Sequence, residues 1–409
     1  MSASTRVLFL AETVTLAHLA RPIALARGLD PAGYDISIAC DPRYQRFLAD
    51  TPWRPLPLDS ISSQQFLQAL AQGKPVYDAK TLHRYVKDDL RLIDQIKPDV
   101  IVGDFRLSLS ISARLTTIPY LTITNAYWSP YFAGHGFPLP VLPVSKALPL
   151  ALAQSLFRMV QPLAFRLHCH PLNQVRKEHG LASLGNDLRR VYTDADHVLY
   201  ADLPELFQMT VLPNTHHHLG PLLWSPPVAL PAWWNDLPSD KPLVYLTLGS
   251  SGQIELLPTI LSALADLPVT VIAASAGGLP DQPLPPNVRI ADYLPGTEAA
   301  ARSSLVICNG GSLTSQQALV AGVPVLGIAS NMDQFLNMGA ITAAGAGRLL
   351  RADRLDQASL HGAAADMLAA SGYRSAAGRL ATRFAQYRAE QRFAEIVQQV
   401  VAQRHSAAS

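Results

Sequence analysis

This sequence predicts two doubly wound α/β halves joined by a proline-rich linker, and three observations predict it. Short β-type runs alternate with helical spacing from Arg6 to Tyr200, and the same cycle restarts at Leu243. Between the cycles, Pro221 to Pro242 carries six prolines and the pair Trp233-Trp234, a shift in composition that marks a linker. A length of 409 residues divides, at about 150 per domain, into two or three domains. With 49% hydrophobic and 16% charged residues, the chain is neither disordered nor solvating. Its 33 basic and 31 acidic side chains leave a charge of +2 without a run of one sign, which excludes nucleic acid as the main partner. Three scattered cysteines, Cys40, Cys169 and Cys308, indicate neither a disulfide framework nor a thiolate zinc site, and predict a reducing, cytoplasmic setting.

The elements follow in order. Arg6–Ala11 is a β-type run, Leu19–Leu29 has helical spacing, and Asp35–Cys40 alternates as a strand. Asp99–Gly103 and Pro119–Thr124 are strands with the helical run Leu107–Leu115 between them, and His197–Tyr200 continues the pattern. The most apolar stretch, Ala147–Phe165, is broken by Pro149, Arg158 and Pro162, too often for a span of about 20 uncharged residues. It predicts a buried helix pair and leaves peripheral membrane contact open. In the second cycle, Leu243–Leu248 ends in Gly249-Ser250-Ser251-Gly252 before a helix over Ile254–Leu264. Strands follow at Val269–Ala274, Val288–Ile290, Ser304–Cys308 and Val323–Ile328, and Tyr373–Gln403 has the pattern of one charged amphipathic helix. The expected division is 1–222, a linker at 223–242, 243–372, and a terminal helix within 373–409 that packs back on the first domain.

Ligands of open parallel sheets sit beyond the carboxyl ends of the strands, so the loops there carry the functional reading. Asn309-Gly310-Gly311-Ser312-Leu313-Thr314-Ser315 lies between the strand ending at Cys308 and the helical run Gln316–Ala321. Glycines admit close backbone approach, and amides at a helix start point at anions along a favourable dipole, which suits a pyrophosphate. The segment is neither a Walker A loop nor a GxGxxG turn. The plainer reading is a strand–turn–helix joint that uses glycine for its geometry. In the next loop Asp333 and Gln334 stand side by side, able to accept and donate hydrogen bonds to several sugar hydroxyls at once. A helix N-cap at Asn331 or Asp333 would explain one of these residues but not the set. Phosphate donors beside hydroxyl binders suggest a nucleotide-sugar site.

Residues 289–350 resemble the donor-binding signature of UDP-glycosyltransferases of the GT-B fold, of the bacterial macrolide and natural-product type. The resemblance rests on Tyr293-Leu294-Pro295-Gly296, Asn309-Gly310-Gly311-Ser312-Leu313-Thr314, Gln317, Ala321-Gly322-Val323-Pro324 and Asp333-Gln334, in the family's order and spacing. It extends to Gly249-Ser250 and more faintly to the amino-terminal half. It implies two Rossmann-like domains facing each other across a cleft, the first binding an acceptor and the second a nucleotide diphosphate sugar. By resemblance, Tyr293 and Leu294 bind the base; Gly249 and Ser250 lie at the pyrophosphate; Asn309, Gly310, Gly311, Ser312, Thr314 and Ser315 cradle the phosphates; and Asp333 with Gln334 grips the sugar. Asn309 stands where the family has histidine, Gln317 where a glutamate binds the ribose, and Gly296 where it has glutamine. These departures leave base and sugar open and admit a thymidine diphosphate donor, which lacks the 2′-hydroxyl, beside a UDP one.

Inverting transfer needs a base for the acceptor hydroxyl, and histidine suits it near neutral pH. His18 resembles the family's catalytic histidine, although Pro22 follows at four residues where three is usual and Ala17 replaces a glycine. Asp104 matches the partner aspartate that orients the imidazole, with Glu12 as the fallback carboxylate. Packing of His18 on its helix and a turn at Asp104 are the structural readings. His216-His217-His218 invites a metal, but adjacent residues of a strand face opposite ways and no carboxylate or cysteine completes a set. No metal or other cofactor is expected. Tyr127, Trp128, Tyr131 and Phe132 fall where resembling enzymes line the acceptor pocket, and favour a hydrophobic small-molecule or lipid acceptor if they are not core. The remaining alternatives are a nucleotide-sugar 2-epimerase, whose several acidic cleft residues this chain lacks, and a catalytically degenerate relative kept as an auxiliary subunit.

Overall fold

Residues that are apolar on both faces of a strand must be covered on both faces, and β1, Thr5–Ala11, is fully buried from Val7 onward. In the computed structural model, which describes residues 4–134, 136–249, 252–275 and 283–408, it is an interior strand of a seven-stranded sheet. The other strands are β2 (Tyr34–Cys40), β3 (Arg54–Pro57), β4 (Val100–Asp104), β5 (Tyr120–Thr124), β6 (His197–Tyr200) and β7 (His216–His218). Their order is β3-β2-β1-β4-β5-β6-β7, every pair parallel. Helices α1 (Ala17–Ala26), α2 (Ser63–Gln72), α3 (Ala79–Ile96), α4 (Leu109–Thr116), α5 (Pro143–Ala147), α6 (Leu150–Glu178) and α7 (Leu188–Tyr192) accompany it in sequence.

The second sheet comprises β8 (Leu243–Thr247), β9 (Thr270–Ala274), β10 (Val288–Ala291), β11 (Leu305–Cys308), β12 (Val325–Ala329) and β13 (Gly347–Arg351). Its order is β10-β9-β8-β11-β12-β13, again parallel throughout. Helices α8 (Leu257–Ala265), α9 (Gly296–Arg302), α10 (Ser312–Val320), α11 (Met332–Ala343), α12 (Gln357–Ala369), α13 (Ser371–Phe384) and α14 (Ala389–Ala408) complete the chain. Both doubly wound halves expected from the alternating pattern are present.

The chain divides into one unit of Met1–His135, Ser155–Leu222 and Tyr387–Ser409, and a second of Gly136–Gln154 and Leu223–Gln386. The excursion at 136–154 is fastened inside the second unit. Val141 N donates to Ser330 O at 2.7 Å, Arg351 NH1 to Leu139 O at 2.8 Å, and Ser145 Oγ to Asp353 Oδ2 at 2.6 Å. The terminal segment returns to the first unit, where Phe393 meets Phe9 at 5.9 Å between ring centroids and Arg404 donates to Asp99 O at 2.8 Å. Gly220, at φ +92, permits this return: a Cβ there would lie 2.4 Å from Tyr387 Cβ.

Two expectations are corrected. Tyr373–Gln403 is not one helix: the helical run is interrupted between Phe384 and Ala389, α13 packing on α10 and α14 on α1. Nor is Ala147–Phe165 part of a buried pair. It lies largely in the single 29-residue helix α6, which keeps Pro162 and Pro171 inside and leaves one face exposed. A proline removes one helical hydrogen bond, and the turns on either side carry the helix through.

Strand β7 places three histidines at a sheet edge. Burial pushes the His216 imidazole down to about 4, and the neighbouring His217 and His197 push the same way. Its Nδ1 lies 2.7 Å from the Tyr200 hydroxyl. Because the folded value lies below the ordinary 6.5, the unfolded chain takes up the proton first; this contribution to stability is full above pH 6.5 and is lost as the pH falls toward 4. The melting temperature is therefore expected to drop across that window, and His216→Asn to flatten the drop. An unchanged slope in the variant would remove His216 from the account.

Candidate active site

Strand order reverses between β1 and β4 in the first sheet and between β8 and β11 in the second, and such switch points open a crevice at the strand carboxyl ends. Register brings Ala11 beside Asp104 and Thr247 beside Cys308. The loops carrying His18 and Asn309 therefore start at switch points.

In the first unit, His18 is the second residue of α1 and Asp104 the last of β4. Their Nδ1 and Oδ1 atoms are 2.8 Å apart, with the imidazole side chain 16% exposed and the carboxylate fully buried. Arg21, one turn further along α1, grips the same carboxylate with both arms of its fork: Nε donates to Oδ2 at 2.7 Å and NH2 to Oδ1 at 2.5 Å. Its NH1 donates to Asn125 Oδ1 at 2.9 Å; Asn125 Nδ2 then donates to Asp202 at 3.1 Å, and Ala126 N donates to Asp202 at 2.6 Å. With its proton on Nδ1, facing Asp104, the imidazole keeps an unprotonated Nε2 that can act as a base. Arg21 NH2 also lies 3.0 Å from Nδ1, so Asp104 and Arg21 favour opposite tautomers of the ring.

Phe105 stacks on His18, centroids 4.9 Å apart and planes within 12°. It does so at φ +57, a left-handed conformation costing a non-glycine residue about 1 kcal/mol or more. Phe66, Tyr192 and Tyr77 surround its ring at 5.9, 5.6 and 6.3 Å. Glu12, the fallback partner, is committed elsewhere: it accepts from Arg106 NH1 at 2.7 Å and from the Tyr85 hydroxyl at 2.9 Å. Burial raises its carboxyl above the usual range against the pull of Arg106.

In the second unit, the glycine loop is braced from within. Gly310 adopts φ +83, and a Cβ there would meet Met338 Cγ at 2.7 Å. Gly310 N donates to Cys308 Sγ at 3.3 Å and Gly311 N to Asn309 Oδ1 at 3.0 Å. Ser315 Oγ donates to Gly311 O at 3.0 Å and accepts from Asn337 Nδ2 at 2.9 Å, while Asn337 also donates to Gly310 O at 2.8 Å. The glycine amides and the Ser315 hydroxyl are thus occupied. The amides of Ser312, Leu313 and Thr314 open α10 behind a Gly311 N-cap that offers no side-chain acceptor. Gly249, at φ +60, donates to Thr247 Oγ1 at 3.2 Å; Ser250 lies outside the described residues.

Asn331 and Gln334 form a reciprocal capping box on α11, with Gln334 Oε1 accepting from Ser330 N at 2.8 Å. Gln334 Nε2 is buried and has no hydrogen-bond partner among the described residues. Asp333, half-buried, stands in the first turn. Gln317 Nε2 donates to Trp224 O at 2.8 Å, tying the linker to α10, and its Oε1 would be 2.6 Å from a Cβ on Gly296. Tyr293 is half-buried, and Leu294 is buried just before α9.

Of the aromatic residues expected at an acceptor, Tyr127 is core, its ring 5.1 Å from Phe207. Trp128 meets Tyr192 edge-on at 5.0 Å, Tyr131 meets His216 at 5.3 Å and Phe132 meets Phe207 at 5.8 Å. Among the described residues no three His, Cys, Asp or Glu side chains converge as a metal set. Sequence reasoning missed Arg21, Phe105 and Asn337. Arg21 had a signal: it follows His18 at i+3, a spacing that shares a helix face. Phe105 had none, because its orientation depends on a backbone angle that composition does not reveal.

Residues 258–403 match the family described as erythromycin biosynthesis protein CIII-like, C-terminal domain. Over 379 residues the chain is 54% identical to the PGL/p-HBAD biosynthesis rhamnosyltransferase of Mycobacterium bovis (strain BCG / Pasteur 1173P2), covering 93% of this chain and 84% of that protein. Among solved structures it is similar to the spinosyn forosaminyltransferase SpnP, with TM-score 0.71 and 19% identity over 98% of this chain and all of that one. It is also similar to the spinosyn rhamnosyltransferase SpnG complexed with thymidine diphosphate, with TM-score 0.68 and 19% identity over 96% of this chain and all of that one. These two likenesses show the fold.

Removing one member of a buried pair strands the other charge. Arg21→Met is expected to cost about 3–5 kcal/mol in urea unfolding, and adding Asp104→Asn to cost much less than the two separate losses combined. Strict additivity would mean that Arg21 does not hold the Asp104 charge.

Proposed function

The chain belongs to the glycosyltransferase family of the PGL/p-HBAD biosynthesis rhamnosyltransferase, and from that premise we propose an inverting transfer of a sugar from a nucleotide diphosphate donor to a hydrophobic acceptor hydroxyl. It is a GT-B glycosyltransferase, and the 2-epimerase reading is set aside. The observation that carries the finer reading is His18, with Nδ1 at a buried carboxylate and Nε2 left for a substrate proton. As the acceptor oxygen forms its bond to the anomeric carbon, its proton passes to Nε2 and the C–O bond to the diphosphate breaks, the electron pair leaving with the nucleotide. Inversion follows from attack opposite the leaving group.

The amides of Ser312, Leu313 and Thr314, at the positive end of the α10 dipole, stabilise the departing diphosphate. They supply the charge stabilisation a cation would give, so the proposal carries no metal requirement. The unpaired Gln334 donor and the Asp333 carboxylate hold sugar hydroxyls, while Tyr293 and Leu294 take the base. Thymidine diphosphate is the favoured carrier: Gln317, at the ribose-binding position, spends its amide on Trp224, and the neighbour SpnG was solved with that nucleotide. Rhamnose is the favoured sugar, as in the named relative. Trp128, Tyr131 and Phe132, only half-buried, give the acceptor an apolar aromatic surface.

His18→Ala should lower kcat at least about 100-fold, the low end of general-base contributions, with thymidine diphosphate affinity unchanged by calorimetry. A variant with full turnover would overturn the assignment. Asp333→Ala should instead raise KM for the donor sugar while the nucleotide alone binds as before, and equal weakening toward both would move Asp333 off the sugar.

A further inference from the structure

We propose that the exposed face of α6 docks this protein on an anionic lipid surface. Within the first unit, Leu156, Met159, Val160, Leu163 and Leu167 are 39%, 78%, 53%, 58% and 56% exposed. At 3.6 residues per turn they share an arc of about 100°. The helix turns its other face inward, burying Phe157, Phe165, Cys169 and Leu172. A continuous exposed stripe of large apolar side chains is unusual on a soluble surface and marks an interaction site.

Charge identifies the occupant. Arg166 lies exposed at the margin of this stripe, Arg158 is exposed further around the helix, and no Asp or Glu occurs from Lys146 to Lys177. Neither arginine has an ion-pair partner among the described residues. Large aliphatic side chains beside unneutralised arginines are the composition of a helix lying in the interface plane, with its apolar side chains at the acyl boundary and its cations at anionic headgroups. A second copy of the same face would offer Arg166 no carboxylate from this helix stretch. Docking is peripheral, since among the described residues no helix is long and apolar enough to cross a membrane.

The test is binding of the full chain to vesicles of phosphatidylglycerol with phosphatidylcholine, and to vesicles of phosphatidylcholine alone. Binding to the anionic vesicles is expected to be at least about tenfold stronger and to weaken with salt. Met159→Asp with Leu163→Asp should lower it at least about tenfold, and Arg158→Glu with Arg166→Glu should abolish the preference for anionic lipid, both with unchanged thermal unfolding. Equal binding to the two vesicle types, or variants that bind like the parent, would overturn the proposal. So would light scattering that shows a dimer which the aspartate variant converts to a monomer. Turnover on a water-soluble acceptor should be the same in all of these proteins, so a failure of docking is distinct from a failure of the catalytic reading above.

Discussion

A carboxylate with no exposure at the end of a central strand is tolerable only if its charge is answered, and much of the first unit's candidate site depends on how Asp104 is answered. Arg21 supplies a bidentate cation from α1, and the same guanidinium reaches Asn125 after β5, which in turn holds Asp202 after β6. The carboxyl ends of three strands are thereby tied to the helix that carries His18. In the proposed transfer the Asp104 carboxylate, 2.8 Å from Nδ1, faces the ring that takes up the proton.

The second unit solves the complementary problem with backbone. A diphosphate needs several donors converging on one point, and the first turn of a helix provides them only if the loop before it is held still. Gly310 in its left-handed conformation lets the loop pass against Met338, and Asn337 clamps both the Gly310 carbonyl and the Ser315 hydroxyl. Asn309 closes the turn by accepting from Gly311. The Asn309 side chain thus braces the loop, and the α10 amides proposed as phosphate donors sit one to three residues later than Gly311.

How legible this was depends on the range of the interactions. The central strands β1, β4, β5, β8, β11 and β12 were readable because burial on both faces imposes an apolar run, and their alternation with helices gave the two halves. The edge strand β10 was readable as well, but the edge strands β3, β7 and β13 were not. β3 carries two prolines and β7 is three histidines, compositions that no strand propensity favours and that an edge alone tolerates. The break between α13 and α14 and the unity of α6 depend on what each segment packs against. In the site, His18 and Asp104 could be paired from strand order, whereas the Arg21 fork depends on side-chain reach through folded space. The roles of the Gly311 amide and the Ser315 hydroxyl, plausible as ligand contacts in sequence, were decided by local hydrogen bonds that glycine-rich composition cannot show.

The strained backbone at Phe105 connects the base to its surroundings. A left-handed phenylalanine immediately after the orienting aspartate has no local reason to persist, so the packing of Phe66, Tyr77 and Tyr192 around it must offset the cost. What this yields is a ring laid flat on the imidazole, which limits rotation out of the Asp104 hydrogen bond. Tyr192 continues from Phe105 to Trp128, so the aromatic cluster around His18 is continuous with the residues proposed for the acceptor.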